Sequence, residues 1–230
     1  MGRLSSSDRK NQIREVATEL FAQHGFDGVT TRQIADAAGI TEAMVFRHFA
    51  TKDDLYWEVL SAKCAADDVK QRLEEKLQRD AEPLEIFAAI ARDVLNRNFK
   101  DPSKSRLLLF SALENHGLSQ RFFKIYIREW YELLASYIRR QIEGGKFRKV
   151  DPLLAARGFI GMCFHHYLVQ ELFGGSKYHS YDIEEVAHTM ATLWLTGICC
   201  APEQNPSLTQ QLSTPVSDRN SRSLSLRDKV

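Results

Sequence analysis

What this chain lacks narrows its chemistry first. Its opening residues hold no hydrophobic secretion segment, and its longest apolar runs, near residues 158–164 and 193–201, are too short to cross a bilayer. A cytoplasmic protein with no membrane partner is expected. Cysteine is scarce: Cys64, Cys163, Cys199 and Cys200 show no metal-ligand spacing, so thiols in a reducing compartment are expected, with no metal and no cofactor. The adjacent Cys199 and Cys200 suit either a redox pair or, more simply, small hydrophobes at a helix end. A phosphate-cradling glycine loop, a nucleophile elbow and clustered metal ligands are all missing, which argues against an enzyme. Excess charge of one sign is missing too: Lys plus Arg total 31 against 30 Asp plus Glu, a net charge of +1. Any nucleic-acid contact must therefore come from a local face. No segment reads as a strand.

What is present is helical pattern. With 230 residues, 43% of them hydrophobic and 27% charged, the chain has room for a small headpiece and a larger domain with its own core. Ile13, Val16, Ala17, Leu20 and Phe21 recur at helical spacing, predicting a helix over 8–24 that stops at Gly25. A long helix is predicted over 51–79. Pro83 opens another, Asp101-Pro102 caps the next up to about Gly117, residues 119–143 form one closed by Gly144-Gly145, and Asp151-Pro152 starts one that runs to Gly174-Gly175. The last spans 182–200. From residue 201 onward Pro, Ser, Gln, Asn and Thr dominate without an apolar period, so a mobile tail is expected over 201–230.

Residues 21–55 carry the densest local signals. Thr30 reads as an N-cap, with Gln33 reaching back to it and Val29 stapled onto Ile34. Ile34, Ala35 and Ala38 form an apolar stripe, and Gly39 can take the left-handed conformation that ends a helix. Thr41 is expected to cap a second short helix, with Ile40 packing on Val45. A third start falls at Thr51, where Asp53 and Asp54 suit the positive end of the helix dipole. The result is a helix-turn-helix followed by another helix. Val45, Phe46 and Phe49 are expected in its core.

At this point the chain resembles a known family. Phe21, Gly25, Phe26, Val29, Thr30, Thr31, Ile34, Ala35, Ala38, Gly39, Ile40, Thr41, Ala43, Val45, Phe46, His48, Phe49, Lys52, Asp53 and Leu55 are similar, in that spacing, to the DNA-binding signature of TetR-type transcriptional regulators. The resemblance covers about the first quarter closely and the rest by length and helical pattern. It implies an all-α fold of about nine helices: a three-helix DNA-binding domain at 1–55, a ligand-binding and dimerisation domain at 56–200, and the tail. It also implies a homodimer that binds a palindromic double-stranded DNA operator and releases it when a small, largely hydrophobic effector binds. An activator of the same fold remains open, as does a helical interaction module or enzyme.

The resemblance places the second helix of the motif in the major groove, so Thr41, Glu42, Ala43, Met44 and Arg47 are candidates for base contact, and Arg32 for guanine or phosphate. Thr30, Thr31, His48 and Lys52 match positions that grip the phosphate backbone. Phe46 departs from the family, which usually has tyrosine there and binds phosphate through its hydroxyl. Arg9, Lys10, Arg14, Arg32, Arg47 and Lys52 can line one face, diluted by nearby acids, so two paired half-sites and a steep salt dependence are expected.

The remaining helices suggest two further sites. Phe87, Phe110, Phe123, Tyr126, Trp130 and Phe164 supply abundant aromatic surface, with His116 and His165 as polar anchors, for an effector pocket. His165 and His166, adjacent on a helix, diverge too far to share a metal. Residues 158–164 are apolar all round, and Val186, Met190 and Trp194 form a stripe on the next helix. By resemblance this pair packs on its copy, giving Phe159, Ile160, Cys163, Tyr167, Val186, Met190 and Trp194 as candidate dimer residues.

Overall fold

Ser5 opens the first helix by accepting a hydrogen bond from the Asp8 amide at 3.1 Å, and the chain then coils from α1 (Ser6–His24) through successive helices to Ile198. The structure is a computed structural model that describes residues 5–65, 69–114 and 117–200. The expected tail and His116 lie outside the described residues. The fold is all-α, and among the described residues extended pairing is limited to an isolated bridge between Phe147 and Cys199.

Three local devices build the headpiece. Thr30 and Gln33 close a full capping box at the start of α2 (Thr31–Ala37). Gly39, at φ +64°, lets the Ile40 amide reach back to Ala35 and its own amide reach Asp36, which is how a left-handed residue closes a helix. At the start of α4 (Lys52–Ala65) the Thr51 hydroxyl accepts from the Asp54 amide at 3.0 Å while the Asp54 carboxylate accepts from the Thr51 amide, so Asp54 completes a second box. The expected cap at Thr41 is only positional: it precedes α3 (Glu42–His48), but its side chain makes no capping bond.

These helices share a core of Ile13, Ala17, Phe21, Phe26, Val29, Ile34, Val45, Phe49, Leu55, Tyr56, Val59 and Leu60. The core does not stop there. Leu107, Leu118 and Phe122, from α7 (Pro102–Leu113) and α8 (Gly117–Phe122), belong to the same cluster. Phe46 is a correction: it is 47% exposed, because the apolar side of α3 is already filled by Val45 and Phe49.

The expected helix over 51–79 is described as α4 and α5 (Val69–Leu77), with residues 66–68 outside the described residues. The body packs α6 (Pro83–Lys100) against α11 (Ile183–Ile198), and α10 (Pro152–Tyr167) against α6 and α9 (Arg128–Glu143). Asp101 ends α6 and caps α7, accepting from the Ser103 amide at 3.2 Å. A π turn at Phe123–Ile127 joins α8 to α9, and another, Leu168–Leu172, extends α10.

Most of the candidate dimer residues lie in the chain's own core. Phe159, Cys163 and Tyr167 have no exposure, Val186 and Ile160 are buried, and Met190 and Trp194 pack partly buried against the chain's own core. An apolar helix shows no sequence cue for which side its own fold covers. The open side of α10 and α11 carries Leu154, 68% exposed, with Gly158, Gly161, His165 and, on α11, Leu193 and Gly197.

Candidate functional site

The outer face of α3 follows from helix geometry. Residues three and four apart share a face, and Ala43, Phe46 and Arg47 are the exposed set opposite the buried Val45. Arg32 is exposed on α2, while Met44 and His48 are half-buried at the edges. The Thr41 hydroxyl, exposed and free of a capping bond, faces solvent at the entry to α3.

Other members of the expected set are tied inward. Thr31 donates to the Glu42 carboxylate across the turn at 2.5 Å, so Glu42 braces α3 against α2. The Lys52 ammonium donates to the Val29 carbonyl at 2.9 Å and lies 4.0 Å from the centre of the Phe26 ring. Thr30 is committed to its capping box. Lys10 pairs with Glu58 at 3.0 Å, and Gln12 donates to the Ala38 carbonyl, which steadies the end of α2. The open cationic surface near α3 is accordingly carried by Arg32 and Arg47 more than by the basic side of α1.

Behind the headpiece, α7 and its C-cap residue Glu114 hold it by four hydrogen bonds. Arg106 donates to the Ala22 carbonyl at 2.6 Å near the end of α1. The Glu114 carboxylate accepts from the amides of Phe26 at 3.0 Å and Asp27 at 3.4 Å. Tyr56 donates to the Leu107 carbonyl at 2.6 Å, and burial, with the Glu114 charge nearby, pushes its phenol well above the usual range. Gly25 makes this approach possible: it sits at φ +77°, and a Cβ there would lie 2.3 Å from Glu114 Oε1. Sequence alone marks Gly25 as a helix stop, since its partner stands 88 positions from Phe26.

A cavity of about 1190 Å³ opens between α1, α4, α6, α7, α9 and α10. Of the candidate pocket residues Tyr126, Trp130 and Phe164 line it, joined by Leu108, Phe122 and Ile160. The other expected pocket residues are placed elsewhere. Phe87 is buried in the body core against Phe159 and Trp194, with ring centroids 4.8 and 4.3 Å away. Phe110 packs beside Gly25, Phe123 is 48% exposed, and His165 faces solvent on the open side of α10. The pattern missed that α1 itself supplies Arg14, Glu15, Thr18 and Glu19 to one wall, while α7 supplies Ser103, Lys104, Ser105 and Leu108. Both helices thus touch the cavity and the headpiece core.

Two of the thiols, Cys163 and Cys199, are buried. Burial pushes Cys163 up to about 12 and Cys199 up to about 11, so neither is a thiolate near neutral pH. Among the described residues no group of three His, Cys, Asp or Glu side chains can hold a metal ion, and no helix is long and apolar enough to cross a membrane.

Residues 13–59 match the family of bacterial regulatory proteins, tetR family, and residues 100–196 match the C-terminal domain of AefR-like transcriptional repressors. The HTH-type transcriptional repressor KstR2 of Mycobacterium tuberculosis is 33% identical over 153 residues, covering 62% of this chain and 70% of that protein. The chain belongs to the TetR family of transcriptional regulators. Nucleoid occlusion factor SlmA of Vibrio atlanticus is 24% identical over 162 residues, covering 70% of this chain and 82% of that one. In fold the chain is similar to NalD of Pseudomonas aeruginosa, the secondary repressor of the MexAB-OprM multidrug efflux pump, with TM-score 0.66 at 20% identity, over 86% of this chain and 100% of that one. It is also similar to AibR in complex with isovaleryl coenzyme A and operator DNA, with TM-score 0.62 at 21% identity, over 80% and 97% of the two chains. As a TetR-family regulator the chain is a DNA-binding protein, and α3 is the second helix of its helix-turn-helix.

Proposed function

We propose that this TetR-family chain is a homodimeric repressor that leaves a palindromic operator when a small, largely hydrophobic effector fills the cavity. Residues 1–55 form the DNA-binding unit and residues 56–200 the effector and dimerisation unit. The observation that carries the reading is that α1 and α7 each contribute both to the cavity wall and to the headpiece core. A ligand wedged there acts on the helices that hold α2 and α3, and so binds the DNA-competent and DNA-incompetent arrangements unequally. Arg106 and Glu114 connect α7 to the end of α1, which gives that difference a route. Tyr126, Trp130 and Phe164 favour an apolar effector body.

Dimerisation is supported by the open side of α10 and α11. Leu154 and Leu193 are exposed there, and a Cβ added at Gly158, Gly161 or Gly197 meets nothing within 4 Å, so a second copy can approach closely. Thr41, Ala43 and Arg47 meet the bases, with Met44 at the edge of that contact, while Arg32 and His48 hold register on the backbone and Thr30, Thr31, Glu42 and Lys52 keep α2, α3 and α4 in place behind them.

A mobility-shift titration on the DNA flanking the chain's own gene tests the whole reading. Arg47→Ala and Arg32→Ala each weaken binding about tenfold or more if they face DNA, as one lost charged contact implies; unchanged binding overturns the assignment. Isovaleryl coenzyme A, the compound in the AibR complex, is a first probe for release.

A further inference from the structure

Resting on the reading of α3 as the helix that enters the major groove, we infer that Phe46 reads sequence by seating its ring against the C5 methyl group of a thymine. The residue is costly to explain otherwise. Among the described residues of the headpiece, the remaining large apolar side chains are buried or half-buried, while Phe46 is 47% exposed. It makes no ring or cation contact among the described residues, and the core beneath α3 is already complete with Val45 and Phe49. An exposed phenyl ring on a short helix is hydrated at a free-energy cost that folding does not recover.

Its surroundings select the partner. Ala43 lies one turn before it and Arg47 immediately after it, both exposed, with Arg32 on the neighbouring helix. A single ring on a short helix that also exposes Arg47 fits an anionic surface that carries an isolated apolar group, and is too small a patch for a second protein. A phenyl ring can neither donate to phosphate nor pair with a base edge. The apolar group that the major groove offers is the thymine methyl. The small Ala43 side chain leaves room for the base to approach, and Arg47 anchors the same segment by charge. Phe46 therefore sets specificity at one position per half-site, where the tyrosine usual at this position would grip the backbone regardless of sequence.

The experiment uses the full chain and a randomised 30-base-pair duplex pool, from which bound sequences are enriched. Each thymine of the best duplex is then replaced by deoxyuridine, which removes only the methyl group. In the wild type one thymine per half-site shows about a fourfold loss, and the symmetric double replacement about fifteenfold, as burial of a methyl group implies. Phe46→Ala binds more weakly and becomes indifferent to that replacement, whereas Phe46→Leu keeps part of the preference and preferences at other positions persist. A deoxyuridine scan that is flat in the wild type, or equally steep in Phe46→Ala, overturns the inference and leaves α3 as the DNA helix. Failure to enrich any duplex overturns both readings.

Discussion

The headpiece and the body are both helical, yet they are closed in opposite ways. In the headpiece, short helices are fixed by local devices: capping boxes at Thr30 and Thr51, a left-handed glycine at 39, and a core in which Phe21, Phe26 and Tyr56 meet edge to face or stacked at 4.9 to 6.1 Å. Where the body meets α1 and α4, the helices leave about 1190 Å³ unfilled, and the lining is a mixture of aromatic, amide and charged groups. A unit that positions side chains against a duplex has to be rigid, and one that answers to a ligand has to have somewhere to move. α7 joins them, with Lys104 and Leu108 toward the cavity and Arg106, Leu107 and Glu114 toward the headpiece.

That contrast can be broken most directly in the two interiors. Phe21→Ala removes a fully buried ring and is expected to cost about 3–5 kcal/mol of stability. Trp130→Ala, on the cavity wall and half-buried, is expected to cost about 1 kcal/mol because open space already adjoins it. Urea unfolding of both variants decides the matter, and equal costs would show that the cavity is filled or collapsed in solution.

The junction comes next. Gly25→Ala forces a side chain into a conformation reserved for glycine and against Glu114, for an expected loss of about 1–3 kcal/mol. Adding Glu114→Ala in the same chain relieves the steric part only. If Gly25→Ala melts like the wild type, the grip of α7 on the turn after α1 is not real.

Within the headpiece the two threonine caps separate structure from function. Thr30→Ala loses a capping box and should cost about 1 kcal/mol in thermal unfolding. Thr41→Ala should leave stability nearly unchanged, since no capping bond exists to lose, while weakening operator binding in a mobility-shift assay. Stability losses of the same size at both positions would contradict the difference between them.

The smallest effect is electrostatic. Burial works to raise the Asp101 carboxyl, but the Lys63 ammonium at 2.6 Å and the Ser103 donors outweigh it and hold the group below the ordinary aspartate range. A depressed carboxyl contributes stability that is present above its unfolded value and lost as pH falls through its folded one. Asp101→Asn should therefore flatten the loss of stability below about pH 4. The half-exposed pair limits the effect to below about 1 kcal/mol. An unchanged acid limb in a melting-temperature series against pH would remove Lys63 and Asp101 from the account.

The parts of this molecule that could be read from the chain are those whose cause is local. Thr30 with Gln33, Gly39, Asp101-Pro102 and Asp151-Pro152 act over three or four residues, so the helix starts and ends they imply match the structure closely. Legibility fails where a residue's role depends on a distant partner. Lys52 matched a phosphate-gripping position but reaches the Val29 carbonyl, and Phe87 suggested a pocket but fills the body core. Phe46 suggested core but stands in solvent, because Val45 and Phe49 had already used the inward side of a seven-residue helix.

By itself, then, the sequence determined the helices, their order and the helix-turn-helix at 30–48, since propensity, capping and apolar period are carried by neighbours along the chain. The tertiary structure decided which apolar residues face inward, which face a cavity and which are left for a partner. The period names a stripe, whereas its orientation depends on the helices that arrive from elsewhere. On α10 that choice buries Phe159 and Cys163 and leaves Leu154, Gly158 and Gly161 open. At Gly25 it brings Glu114 onto the Phe26 and Asp27 amides and so joins headpiece to body.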